Sequence, residues 1–203
     1  MHPNPAFRKT HAEENLSFAR ARGFGVLAVN GAAGPVMAHV PFLLADDGSY
    51  ADLHLARSNP VIAAVPGPAV LAVSGPDAYI SPDWYGMQDQ VPTWNYVAVD
   101  LRGDLVAMPQ ETLRSHLDAL SEWQETQLAP KPVWSSTKMG DGVMERMMRM
   151  ILPFRLHIAA VDGTWKLNQN KTAAARARAI AALEQMGGSA GAMAQVMRGA
   201  AED

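Results

Sequence analysis

Residues 25–60 read GVLAVNGAAGPVMAHVPFLLADDGSYADLHLARSNP, and the turn chemistry inside this stretch decides the fold class. Apolar residues run or alternate over 25–29, 35–44 and 50–55, which are the lengths of strands rather than helices. Between them stand Asn30-Gly31-Ala32-Ala33-Gly34 and Asp46-Asp47-Gly48. Such residues reach left-handed backbone angles at little cost and close hairpins. Strands joined by hairpins are antiparallel, because a parallel pair needs a crossover of a dozen residues or more. The stretch ends in Ser58-Asn59-Pro60, where Asn59 serves as N-cap and Pro60 as first residue of a short helix to about 65.

Working outward, Thr10-x-x-Glu13 is a capping-box pattern that predicts a helix to about 22, ended by Gly23. Pro66-Gly67-Pro68 stops the short helix after Asn59. Residues 69–74 form a fourth strand broken by Gly75-Pro76, and 77–92 read as a long structured loop. A fifth strand over 94–102 turns at Gly103-Asp104 into 105–107. Pro109 opens a helix to about 127 with Leu113, Leu117, Leu120 and Trp123 at helical spacing. A Met-rich helix is expected over 143–151. A last hairpin joins 154–161 to 164–167 through Asp162-Gly163. Thr172 caps an Ala-rich helix to 186, and Gly187 and Gly188 end it. The tail is expected to be a weak or frayed helix. Six or seven hairpin-joined strands with helices between and after them predict a mainly β protein, an antiparallel barrel with peripheral helices. One domain spanning 1–203 is expected, with its C-terminal helices from about 172.

Composition sets limits on function. The 203 residues are 48% hydrophobic and 18% charged, with a net charge of −3, which suits a globular core and gives no basic excess for a free-standing DNA binder. There is no cysteine, so disulfides, thiolate metal sites and a cysteine nucleophile are excluded together. The first fifteen residues carry no apolar signal core, and no apolar run reaches the ~18–20 residues of a membrane helix. A soluble, cytoplasmic protein is the expectation.

Dinucleotide, Walker, metalloprotease and nucleophile-elbow motifs do not occur. His39 and His54, on consecutive strands, can approach one another, but spacing alone supplies no further ligands for a metal or haem. The segment from His54 to Pro60 places His, Arg, Ser and Asn where a strand meets a helix start. That arrangement suits an anion clamped by Arg57, or equally a plain Asn-Pro helix start. Two Trp and three Tyr fall between Tyr79 and Tyr96, as walls for a planar ligand or an oligomer contact, or as a loop packing its own core. The amide-rich run from Trp165 to Lys171 can donate to a ligand or cap a hairpin exit.

Taken together, His39-Val40-Pro41-Phe42-Leu43-Leu44, the 54–60 segment, Gly75 to Tyr85, Val91 to Tyr96 and Trp165 to Lys171 resemble, in that order, the PaiB-type family of FMN-binding negative transcriptional regulators. The pairing of G-P-x-A-Y-I-S-P-x-W-Y with V-P-T-W-N-Y is its specific part, and the resemblance covers most of the chain. It implies a split β-barrel of the pyridoxamine-phosphate-oxidase type, an FMN ligand, and a homodimer with two sites between subunits. By the same resemblance, His39, Val40, Pro41 and Phe42 run beside the flavin, and His54, Arg57, Ser58 and Asn59 hold its ribityl and phosphate groups. The resemblance further implies that Thr93, Trp94, Asn95, Lys166 and Gln169 are contributed by the partner subunit. Asp77 stands where the resemblance leads one to expect histidine. The function so implied is a flavin-dependent oxidoreductase or a flavin-linked negative regulator. The alternatives are a DNA-associated repressor without enzymatic activity and a haem-binding barrel with His39 or His54 as ligand. No residue presents itself as a catalytic acid or base.

Overall fold

The computed structural model describes residues 2–200. Six strands are present among them, β1 (Phe24–Gly31), β2 (Gly34–Leu44), β3 (Tyr50–Ala56), β4 (Gly67–Ile80), β5 (Thr93–Ala107) and β6 (Ile151–Lys166). They close a barrel in the order β1-β2-β3-β6-β5-β4, the antiparallel split-barrel fold. The helices are α1 (Ala12–Arg22), α2 (Thr112–Thr126), α3 (Val143–Met148), α4 (Ala173–Met186) and α5 (Gly188–Gly199). The described residues divide into two compact units, one of 16–73 and 100–161, the other of 2–15, 74–99 and 162–200.

The first unit owes its core to strict alternation. Leu27 and Val29, Ala38, Val40, Phe42 and Leu44, Ala51, Leu53 and Leu55, and Phe154 and Leu156 all point inward, each separated by an outward residue. A side-chain period of two lets each strand bury one face, and each buried large side chain contributes about 1.5–3 kcal/mol. The hairpin turns fall where Gly34 and Gly48 take φ of 128° and 73°. Arg20 of α1 donates from Nη2 to the carbonyls of Ala45 and Asp46 at 2.9 and 3.0 Å, which ties the helix to the β2–β3 turn. On β3 and β6, Asp52 and Arg155 face each other in register and form a two-pronged ion pair of 2.6 and 2.8 Å. The Arg155 guanidinium lies 3.6 Å above the Tyr50 ring.

In the second unit α4 and α5 pack Ala175, Ala179, Ile180 and Leu183 with Met193, Ala194 and Met197. Thr172 accepts from the N–H of Ala175 as expected of the cap. A 3-10 turn at Pro82–Tyr85 buries Tyr85, whose hydroxyl donates to Oδ1 of Asn168 at 3.2 Å.

Several sequence expectations need correction. The first helix opens at Ala12, its first bond running from the N–H of Asn15 to the carbonyl of His11, one residue after the expected Thr10 cap. The helix after Asn59 is a five-residue 3-10 turn, Pro60–Ala64. β4 passes through Gly75 and Pro76 without a break and runs to Ile80, which shortens the expected loop. Proline costs a strand only the ladder bond at its own nitrogen. β5 does not turn at Gly103-Asp104, because Gly103 is where β6 comes close: a Cβ built there lies 1.7 Å from the carbonyl oxygen of His157. Nor does β6 turn at Asp162-Gly163, where a Cβ on Gly163 meets Oδ1 of Asn15 at 2.1 Å. The Met-rich helix stops at Met148, and Ile151 already begins β6. The tail is a well-anchored helix, since α5 buries two methionines.

Candidate functional site

β2 and β3 pair at only three positions, Phe42↔Leu53, Leu43↔Asp52 and Leu44↔Ala51. Beyond them β2 stays with β1, from Phe24↔Pro41 back to Gly31↔Gly34. β3 stays with β6, through His54↔Pro153 out to Ala56↔Ile151. The two strands therefore part at Phe42 and Leu53. Residues 39–41 of β2 and 54–56 of β3 lie beyond the paired stretch, with Arg57 just after, in the two segments that the sequence reading assigned to one ligand. An edge that has lost its neighbour presents backbone N–H and C=O groups to whatever lies beside it.

The side chains in these two segments differ in what they can offer. His39 is exposed and Pro41 half-buried. Val40 and Phe42 are 2% and 1% exposed, turned into the barrel, so a ligand can meet only their backbone. Ser58 is exposed. Asn59 spends its Oδ1 on the N–H of Val61 at 3.0 Å, capping the 3-10 turn. A single 3-10 turn has little dipole, so any anion attraction at this corner falls to Arg57 rather than to a helix end. Arg57 is exposed; its Nε donates to the carbonyl of Arg149 at 2.6 Å and its Nη2 to Oε1 of Gln110 at 3.3 Å. No carboxylate pairs with it among the described residues.

His54 does not meet His39. Its Nδ1 lies 3.1 Å from Nε2 of His116 on α2, with ring centroids 5.3 Å apart. The rings aim at each other, which marks a hydrogen bond between neutral imidazoles. Burial lowers the pKa of His54. Burial first, and then the neighbouring His54, push that of His116 down to about 4. Nδ1 of His116 is buried without a partner among the described residues. Beside this pair a cavity of about 290 Å³ lies against α2, bordered by Leu43, Asp52, His116, Phe154 and Arg155 among others.

The second group of expected residues lies in the other unit. Lys166 donates from Nζ to Oγ1 of Thr93 at 2.5 Å and has no carboxylate partner among the described residues; burial lowers its pKa. Trp94 and Tyr79 are 54% and 45% exposed and meet edge to face at 6.1 Å. Asn95 is fully buried, its Nδ2 on the sulfur of Met197 at 3.3 Å and its Oδ1 without a partner among the described residues. Gln169 is bound up in its own turn, accepting from the N–H of Leu167 and donating to the carbonyl of Trp165. Asp77 exchanges backbone bonds with the Ser189 hydroxyl. Of this group, Thr93, Trp94 and Lys166 remain available to another molecule.

Sequence reasoning passed over two residues, His116 and Gln110. His116 carried a readable signal, since it falls on the same helical stripe as Leu113 and Leu120. Gln110 carried none.

Comparison with known proteins is consistent with this geometry. The family described as "Putative FMN-binding domain" matches residues 1–160. The protein named protease synthase and sporulation protein PAI 2, from Bacillus subtilis, is 29% identical over 169 residues, 81% of this chain and 80% of its own. Among solved structures, an FAD and heme binding protein from Mycobacterium smegmatis superposes with a TM-score of 0.56 at 16% identity, over 79% of this chain and 73% of its own. The flavocytochrome Anf3 from Azotobacter vinelandii gives 0.56 at 16% identity, over 81% and 72%. At such identities these two establish the shared fold. No helix among the described residues is long and apolar enough to cross a membrane.

Proposed function

The chain belongs to this FMN-binding family, and from that premise we propose that it works as a homodimeric flavin-dependent oxidoreductase, any effect on gene expression following from that chemistry. FMN is its cofactor and supplies the redox step, accepting and passing on electrons that no side chain here can carry. The observation that supports the reading best is the parting of β2 from β3 at Phe42 and Leu53.

The residues present fit the group. A phosphate dianion asks for a cation without a competing carboxylate, and Arg57 is such a cation, with the Ser58 hydroxyl beside it. A flavin ring asks for backbone groups to meet its carbonyls and for flat apolar surface. The open edge at 39–41 offers the first, and the exposed Trp94 and Tyr79 offer the second. In the dimeric reading Thr93, Trp94 and Lys166 of one subunit complete the site formed around residues 39–41 and 54–58 of the other. Lys166 then brings a desolvated positive charge, strengthened by its poor hydration, to an anionic edge of the ligand. The name of the Bacillus subtilis relative links that protein to protease synthesis and sporulation. A net charge of −3 favours an indirect, metabolic route to any such effect here over direct reading of DNA.

The test is the protein as purified. We expect absorbance near ~450 nm from oxidised flavin, a released ligand with the mass of FMN, and oxidation of reduced nicotinamide when an electron acceptor is added. A Soret band in place of flavin absorbance would overturn the cofactor assignment. Salt-sensitive retention on duplex DNA with no redox turnover would replace the oxidoreductase by a direct repressor.

A further inference from the structure

Arg57 is held at three points. Beyond the Nε and Nη2 bonds to Arg149 and Gln110, its backbone N–H donates to the carbonyl of Met150 at 2.9 Å. Gln110 is tied in turn, its Nε2 donating to the carbonyls of Met148 and Ile151 at 3.3 and 3.4 Å. One amide therefore clamps the junction of α3 with β6 and steers the guanidinium of Arg57 at the same time. The assignment of its oxygen and nitrogen is fixed by the partners, since Arg57 can only donate and the two carbonyls can only accept. Nη1 of Arg57 is left without a partner among the described residues and keeps its donors for a ligand.

We infer that Gln110 is a positioning residue that sets the preference for a phosphorylated flavin over the unphosphorylated one, by fixing the free edge of Arg57 before the phosphate arrives. The inference rests on the assignment of Arg57 to the phosphate made above. An unrestrained arginine loses rotamer freedom when immobilised, and holding it beforehand removes part of that cost from binding. An amide suits the task better than a carboxylate. It orients the guanidinium without neutralising it, and only an amide joins an acceptor for arginine to donors for two carbonyls. Glutamate at 110 would compete with the phosphate for Arg57 and repel it.

The experiment is a fluorescence titration of the flavin-free protein with FMN and, separately, with riboflavin. It uses the natural chain, Gln110→Ala, Gln110→Glu, Arg57→Ala and the Arg57→Ala/Gln110→Ala pair. Arg57→Ala should weaken FMN about tenfold or more and leave riboflavin unchanged. Gln110→Ala should weaken FMN about three- to tenfold with riboflavin held within about twofold. Gln110→Glu should weaken FMN further still. In the Arg57→Ala background, loss of Gln110 should change FMN binding no further. Equal weakening of both flavins by Gln110→Ala would mean that Gln110 merely props the fold, and would overturn the inference. So would unaltered FMN binding by Gln110→Ala where Arg57→Ala weakens it. Unaltered binding by Arg57→Ala itself would remove the phosphate assignment, and the inference with it. If the alanine variant fails to fold, the isosteric Gln110→Glu decides by the same comparison of the two flavins.

Discussion

His54 on β3 and His116 on α2 share one proton across a 3.1 Å contact between Nδ1 and Nε2. The pair helps seat α2 on the barrel, and burial favours the neutral form of both rings. Each has its pKa lowered in the folded protein, His116 to about 4 from an ordinary 6.5. The unfolded chain therefore takes up more protons than the folded one between those values. The stabilising contribution is complete above about pH 6.5 and is lost as pH falls toward 4, by on the order of a few kcal/mol. The pair does not stand alone in the field it feels. Asp52, paired with Arg155, opposes the lowering of the His116 pKa. Denaturant unfolding at pH 7.5, 6 and 5 should show this acid loss in the natural chain and a clearly smaller one in His116→Leu. Equal pH dependence in both proteins would mean that acid acts elsewhere.

Gly103 and the carbonyl of His157 approach too closely for a Cβ, which would lie 1.7 Å from that oxygen. Gly103→Ala must push two strand backbones apart, and backbone cannot rotate away as a side chain can. The expected loss is about 3 kcal/mol or more, seen as a large fall in the denaturant midpoint or as insoluble protein. Gly163→Ala should cost less, since the obstacle is the Asn15 amide. Displacing that amide sacrifices its bond from Nε1 of Trp165, 2.8 Å long. A Gly103→Ala protein as stable as the natural chain would mean that the strands are not so closely spaced.

These two glycines also show where the sequence stops being legible. Asn30 to Gly34 and Asp46 to Gly48 were read as hairpins and are hairpins, because the need for a left-handed backbone is local and announces itself locally. Gly103 and Gly163 look the same in the sequence but answer to residues 54 and 148 positions away. A glycine that makes room and a glycine that makes a turn cannot be told apart without the neighbour. The candidate site divides the same way. The 39–42 and 54–59 segments could be paired only through motif resemblance, and they lie on β2 and at the end of β3, two strands that pair at just three positions. The inward turn of Val40 and Phe42 was available from the alternation of β2. That β2 and β3 would part after Phe42 and Leu53 while β3 keeps β6 along its whole length, and that Gln110 would reach Arg57, depends on contacts the local pattern does not encode.

The helix α5 was underestimated for a similar reason. Gly188, Gly191 and Gly199 depress its intrinsic propensity, whereas Met193 and Met197 are fully buried and supply what propensity withholds. A Cβ on Gly191 would meet nothing within 4 Å, and its backbone lies outside the left-handed region. Gly191→Ala should therefore stabilise the protein by about 0.5–1 kcal/mol, chiefly by restricting the unfolded chain. Thermal unfolding should show a modest rise in midpoint; a fall would mean that the helix needs its glycine for close packing.

The shared-site reading makes one demand that no single-subunit site would meet. If Arg57 of one subunit and Lys166 of the other serve the same flavin, Arg57→Ala and Lys166→Met each spoil both sites of their own homodimer. A two-fold dimer assembled from one copy of each variant concentrates both lesions in one site and leaves the other intact. Random reassortment makes half of all dimers mixed, so about a quarter of all sites should regain natural FMN affinity. The measurement is a titration of the two variants alone and after joint unfolding and refolding, with riboflavin as a control for the phosphate-independent part. Recovery in the mixture, absent from either variant, is the expected result. If mixing recovers nothing although size measurement shows dimers exchanging, Lys166 serves its own subunit's flavin or none. Lys166→Met would then be explained by the lost Thr93 bond within its own unit.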